Sequence, residues 1–139
     1  MVSLYDMSVP IFLRALHNSQ EILRVAEKHC EDKSLSPATL VEARLAPDMH
    51  PLTFQIQTIS NSAKLAAVRV AGVPNEPWDD NETTFAQLHE RIEKTIKFLE
   101  AAKREDFEGK EGAEVVMKTG GGNEFKFTGL SYLQNFALP

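Results

Sequence analysis

His50 stands between Met49 and Pro51, just ahead of a segment with helical apolar spacing, and is the chain's one candidate metal ligand. A neutral imidazole suits zinc or nickel. One imidazole does not make a site, because even a catalytic zinc takes about three protein ligands. The other histidines, His17, His29 and His89, lie among polar helical residues at spacings that match no metal motif. They are expected at the surface. The run Asp79-Asp80-Asn81-Glu82 offers oxygen ligands of the kind calcium and magnesium take, without the alternating spacing of a calcium loop. Acids just ahead of a helix complement its positive end, and that is the role expected of them. Gly120-Gly121-Gly122 has no following Lys-Ser or Lys-Thr and no strand–loop–helix setting, so it reads as a hairpin turn rather than a phosphate cradle. Cys30 falls on an apolar stripe with no activating partner and reads as a small buried residue. Trp78 either lines a pocket or covers one end of the fold. No nucleophile–base pair is legible in the sequence.

The elements that must carry these residues follow from apolar spacing. Val9, Phe12, Leu13, Leu16, Leu23, Ala26 and Cys30 recur at threes and fours, which predicts a helix opening at Ser8 with Pro10 in its first turn. Ser36-Pro37 predicts a short second helix over Ala38 to Leu45. Pro47 and Pro51 bracket a kink or loop at Asp48-Met49-His50, because proline cannot donate inside a helix and pushes its predecessor out of helical angles. From Pro51 a second long helix carries Leu52, Ile56, Ile59, Ala63, Ala66 and Val70 as its buried stripe and stops at Gly72. After a loop at 74–82, Thr84 and Gln87 make a capping-box signature. The third long helix then runs to about Lys103 with Phe85, Leu88, Ile92, Ile96 and Leu99 buried. Ala113–Lys118 and Glu124–Thr128 read as a hairpin, and Leu130–Leu138 as a short helical or irregular run.

Composition narrows the classes. The 139 residues fit one domain, with 42% apolar and 25% charged residues, an ordinary globular balance. The 15 basic and 20 acidic residues give a net charge of −5 and are interspersed, which argues against nucleic-acid binding. The N-terminus shows no secretory signal, and no segment is apolar enough to span a membrane. The lone cysteine fits a reducing compartment, so the expected location is cytoplasmic.

Several segments together resemble an uncharacterised bacterial and fungal family placed among the DinB/YfiT-like metalloenzymes. They are Leu4-Tyr5-Asp6 through Phe12-Leu13, Ala43-Arg44-Leu45-Ala46-Pro47-Asp48-Met49, and Ala71-Gly72-Val73-Pro74. Asp80-Asn81-Glu82-Thr83-Thr84-Phe85 with Arg91-Ile92, and Asn135-Phe136-Ala137-Leu138-Pro139, complete the set. The resemblance spans essentially the whole chain. It implies a mainly α, up-down four-helix bundle with a small β-hairpin before the last helix. Three long helices are legible here, and the fourth would follow Leu138-Pro139, so the expectation is a single domain over 1–139 that is either C-terminally incomplete or completed by a partner. In the wider group a divalent metal is often held by three histidines, one near the start of the second long helix and two on the fourth. Only the first has a counterpart, His50. Some relatives are metal-assisted, thiol-dependent transferases or isomerases.

The resulting expectation is a DinB-like bundle that is non-catalytic as it stands and forms a homodimer through unfinished apolar surface. The rival expectations are a metal-dependent transferase or isomerase using His50 with zinc or nickel, and a carrier of a small apolar ligand with Trp78 nearby.

Overall fold

The computed structural model describes residues 3–139. Three long helices, α1 (Val9–Asp32), α3 (Leu52–Ala71) and α4 (Phe85–Glu100), pack against one another, and a one-turn helix α2 (Pro37–Val41) sits between the first two. Their apolar stripes close a single core in which Leu16, Leu23, Leu88, Ile92 and Leu99 are completely buried. All five apolar positions expected of α4 are buried, as are Ile56, Ala63, Ala66 and Val70 on α3. Ile59 departs from the expectation: it is 37% exposed, because it lies to one side of that stripe and faces out of the core.

The helix ends differ in part from their sequence signatures. The Ser8 hydroxyl donates back to the Leu4 carbonyl at 2.5 Å and does not cap α1, and Ser36 makes no side-chain cap for α2. At α4 the cap forms as expected, with the Gln87 amide donating to Thr84 Oγ1 at 3.2 Å. The reciprocal bond reaches one residue further back, since Thr83 N–H donates to Gln87 Oε1 at 2.8 Å. Gly72 ends α3 in the left-handed region at φ 72°, where a side chain would be strained. α2 stops at Val41 rather than Leu45, and α4 at Glu100 rather than Lys103. The chain from 42 to 51 folds back on itself. Leu52 N–H donates to the Ala43 carbonyl at 3.1 Å, and Thr53 Oγ1 to the Val41 carbonyl at 2.9 Å. Those two bonds place His50 at the mouth between α2 and α3.

The direction of the helices follows from which residues meet. Gln20 and Glu27 of α1 bond Glu93 and His89 of α4, so these two run in opposite senses. An up-down order would set the first and third long helices in the same sense, so the expected order is not kept through α4. On the other side, Ser60 bonds Thr95, while Val73 beyond the end of α3 shares a cleft with Phe98 and Ala101 at the end of α4. α3 and α4 therefore run in the same sense. Residues 72–83, which form no regular element, must carry the chain back along the bundle as a strap.

Beyond α4 a 3-10 turn (Arg104–Phe107) leads to β1 (Glu114–Lys118) and β2 (Glu124–Thr128). These pair antiparallel, with Lys118 opposite Glu124 and the turn closed by Thr119 N–H on the Asn123 carbonyl at 2.9 Å. The hairpin expected from the glycine triplet is present. The final segment is one turn of helix, α5 (Gly129–Tyr132), running into a π turn (Leu133–Ala137) closed by Leu138 N–H on the Leu133 carbonyl at 3.0 Å. Tyr132 is fully buried, and its hydroxyl accepts from Arg69 at 2.9 Å, which ties this end to α3. Among the described residues, no helix is long and apolar enough to cross a membrane.

Two predictions test these joints. A Cβ at Gly129 would run into the Lys110 carbonyl oxygen, and Gly129 N–H is already fixed on the Ala113 carbonyl at 2.9 Å. Gly129→Ala is expected to cost about 1–3 kcal/mol, read as a lower urea midpoint at unchanged slope. At the N-terminal tie, Asp6 accepts two bonds of 2.6 Å from Arg104, which, helped by Ser3, hold its pKa down at about 2. A lowered folded pKa means that the tie stabilises fully above the ordinary carboxylate range and is lost as pH falls towards 2. The stability gap between the parent and Asp6→Asn is therefore expected to be full at neutral pH and to close in acid, as pH-resolved unfolding would show.

Candidate functional site

The most heavily bonded side chain in the molecule is Arg91, whose guanidinium is 3% exposed. It stands on the buried face of α4, one turn from Leu88 and Thr95. Nε donates to Ser60 Oγ at 2.7 Å. Nη1 donates to the Asp79 carbonyl at 3.0 Å and Glu82 Oε1 at 2.9 Å. Nη2 donates to Asn61 Oδ1 at 2.7 Å and Asp80 Oδ1 at 2.9 Å. A guanidinium has five N–H donors, and each of them has an acceptor. Gln57 bonds the other oxygen of Glu82 at 2.9 Å, and Asn61 donates to Asp80 at 3.2 Å. Two of the acids expected to complement the start of α4, Asp80 and Glu82, instead bond Arg91 through their carboxylates, and Asp79 does so only through its backbone carbonyl. That corrects their assignment and leaves neither Asp80 nor Glu82 free to form a cation site. The hydroxyls beneath are also committed: Thr95 donates to the Arg91 carbonyl at 2.8 Å, so the 2.7 Å bond between Ser60 and Thr95 uses the proton of Ser60. Neither hydroxyl faces a base.

Trp78 lies on the strap over this cluster. The ammonium of Lys94 is 4.4 Å from its ring centre, that of Lys64 4.5 Å, and the Arg91 guanidinium 5.4 Å. Phe98 meets its ring edge-on at 5.6 Å. Such cation–π contacts contribute about 0.5–2 kcal/mol each, the larger figure where water is excluded. Lys64 is buried and donates to the Glu76 carbonyl at 2.7 Å. Burial pushes its pKa down, and the neighbouring Arg91 and Lys94 cations push the same way. A buried lysine with a lowered pKa is a candidate nucleophile. Here its ammonium is held on the strap backbone beneath Trp78 and borders neither of the clefts beside that ring. It acts as an anchor. Those clefts, of about 400 and 420 Å³, share Trp78 and Lys94. Trp78 therefore both lines clefts and covers the packed strap.

His50 lies at the opposite side of the bundle. Its ring stacks on Phe54 at 3.8 Å and borders a cavity of about 530 Å³ lined by Ala26, Leu40, Leu45, Met49, Leu52 and Gln55 among others. Leu45 is 92% exposed, and Met49 and Phe54 are exposed beside it. His17 and His29 are at the surface as expected. His89 is half-buried and bonds Glu27 at 2.9 Å, a link between α4 and α1 that the sequence does not reveal. Cys30 is buried, as its place on the stripe implied. Among the described residues no three His, Cys, Asp or Glu side chains come together as a metal-binding group. The chain's own side chains therefore do not fit a three-ligand metal site at His50.

The sequence profile of a domain of unknown function, DUF1993, matches residues 4–139. The chain belongs to the DUF1993 family. Its fold is that of a DinB-like helical bundle: a crystal structure of a DinB family member protein from Shewanella denitrificans superposes with a TM-score of 0.87 at 30% sequence identity. The match covers 98% of this chain and 76% of that one. None of the curated proteins matches the sequence. In this DUF1993 chain the two regions rich in chemistry-bearing residues are thus different in kind. The Arg91 cluster is internally satisfied, and the His50 cavity is open and apolar.

Arg91 was missed as a key residue because its sequence neighbours, Glu90 and Glu93-Lys94, look like ordinary surface charge. The signal was its spacing: it falls on the apolar stripe between Leu88 and Ile92. Arg91→Leu is expected to cost roughly 3–5 kcal/mol, because Glu82 and Ser60 lose their donor while staying covered. Arg91→Lys is expected to recover little, since an ammonium cannot serve five acceptors at once. Denaturant unfolding gives the stability, and emission from Trp78, the only tryptophan, reports whether the strap has lifted.

Proposed function

We propose that this DinB-like protein acts by binding rather than by catalysis of its own, and that the apolar surface at His50 is a contact surface through which two copies associate. The observation that carries this reading is the cavity of about 530 Å³ whose rim exposes Leu45, Met49 and His50. Large apolar side chains grouped around a concave surface are what association sites show, and scattered ones are not. The Arg91 cluster supports it from the other side: the guanidinium, the Ser60 and Thr95 hydroxyls and the Asp80 and Glu82 carboxylates are all bonded within the protein. Within this reading the chain is a single bundle domain and resides in the cytoplasm, where Cys30 stays a thiol.

The metal-dependent transferase reading would need at least two ligands beyond the described residues. The cavity itself favours one other reading, a small apolar ligand seated on Leu40, Leu52 and Met49 with Gln55 and His50 as its polar contacts.

Light scattering coupled to size separation is expected to give a mass near twice 15.5 kDa, and Leu45→Glu with Met49→Glu is expected to return it to the single-chain value. A single-chain mass for the parent protein at every concentration tested would sink the association reading. If an environment-sensitive apolar dye then bound the parent and not Leu40→Trp, the ligand reading would take its place.

A further inference from the structure

The two clefts beside Trp78 differ in what lines them. One is polar, with Asp79, Glu82, Glu90 and Arg91 in its wall. The other, of about 420 Å³, runs from Val73 and Pro74 on the strap to Phe98 and Ala101 at the end of α4, and is mainly apolar. Small-molecule sites occupy about 300–1,000 Å³, so its size fits a compact ligand. Lys94 and Lys97 stand at its edge, three residues apart and therefore on one flank of α4. The strap that forms the other wall is held on α3 by Gln57, Asn61 and Lys64. Arg69, which holds Tyr132 of the final segment, lies five residues past Lys64 and so about 140° round the helix from it. Gln55, which lines the His50 cavity, lies nine residues before Lys64 and so on the opposite face. The cleft is thus remote from both.

The charges decide what fits this cleft. The other cations near Trp78 are committed, Arg91 to five acceptors and Lys64 to the Glu76 carbonyl. Among the described residues neither Lys94 nor Lys97 makes an ion pair. The Lys94 ammonium rests on the Trp78 ring instead, and it is close enough to Lys64 to help lower that group's pKa. An anion at Lys94 would relieve this crowding of like charges and give the ammonium a charge-assisted hydrogen bond. The anion must be a small charge, because the Glu76 carboxylate borders the same cleft, where it accepts from Trp78 Nε1 at 3.3 Å. Two ammoniums beside one carboxylate leave room for a single negative charge, and the doubly charged head of a phosphate monoester is disfavoured. The remaining walls are apolar and match a body without polar groups.

We propose that the cleft between the strap and α4 binds a small monocarboxylate, with its acid group on Lys94 and Lys97 and its compact apolar body against Val73, Pro74 and Phe98. This site is separate from the His50 surface and stands whether or not two copies associate there. Lys94 leaves the ring of Trp78 to meet the acid, so the emission of that tryptophan reports binding.

The test is titration with phenylacetate at low salt, followed by calorimetry and Trp78 emission, with circular dichroism confirming that each variant keeps its fold. The parent protein is expected to give saturable heat and a change in emission. Phenylacetamide, which has the same shape without the charge, is expected to bind about tenfold more weakly. Lys94→Gln and Lys97→Gln are each expected to weaken phenylacetate by a similar factor of about ten, since each removes one charged donor. Glu76→Gln is expected to tighten it about threefold, because a like charge at the edge is gone. Acetate and inorganic phosphate are expected to give no saturable heat. A parent protein that does not bind phenylacetate overturns the proposal. Equal binding of acid and amide overturns the charged head, and acetate or phosphate binding as tightly as phenylacetate overturns the apolar wall. Binding that survives both lysine substitutions and is lost in Leu40→Trp puts the acid in the His50 cavity and overturns the strap cleft as its site.

Discussion

The guanidinium of Arg91 is the fixture on which the arrangement of the helices depends. α3 and α4 run side by side in the same sense, and two parallel helices cannot be joined by a tight turn. The chain has to return the length of the bundle first, and here it does so along the strap at 72–83 without regular structure of its own. A segment like that brings backbone carbonyls and carboxylates against the helices and offers them no ladder of its own. Arg91 meets this demand from within α4. Two of its five bonds go to residues of α3, and three go to the strap, one of them to a backbone carbonyl. Lys64 repeats the arrangement from α3, with its ammonium on the Glu76 carbonyl and under the Trp78 ring. Burying two cations a short distance apart is unfavourable in itself, and the lowered pKa of Lys64 expresses that cost. The acids at Asp80 and Glu82 offset it.

This division of labour shapes what each side of the bundle can do. On the strap side the Arg91 guanidinium, the Ser60 and Thr95 hydroxyls and the Glu82 carboxylate are covered and bonded to one another, which makes that part of the region stiff. On the side of α1 and the start of α3 the opposite holds. Around the cavity there most side chains are apolar, Leu45 and Met49 are exposed, and the His50 imidazole stacks on Phe54. The free energy left to gain lies in removing that surface from water, at about 25 cal/mol for each Å² covered.

Much of this was legible in the sequence, and the exceptions have a common cause. Apolar spacing gave the three long helices and nearly all of their buried positions, because burial against a single core imposes one period. Gly72, Thr84 and the glycine triplet marked ends and a turn, because their backbone geometry or side-chain acceptor is specified locally. Ile59 and Ser8 were misassigned where a local pattern met a tertiary decision: which flank of α3 the core covers, and where a hydroxyl finds its best acceptor. Arg91 and the acids at 79–82 escaped for the same reason. Each looks like surface charge until the strap is folded over α4, and no property of either segment alone states that they meet. His50 was legible as a candidate from type and position. Its apolar setting was not, since Ala26, Leu40 and Leu52 come from three different helices.

The setting of His50 also separates family shape from family chemistry. The place near the start of the second long helix is kept by Pro51 and by the bonds from Leu52 and Thr53 to the chain around α2, and all of these would hold whatever residue stood at position 50. Position is therefore a property of the fold. A metal site requires more than position: several donors must converge on one point, and their cost of burial must be met by the ion they share. Around His50 the converging groups are methyls and methylenes apart from the neutral Gln55 amide, and none of them is ionic. A surface of that composition is suited to another apolar surface.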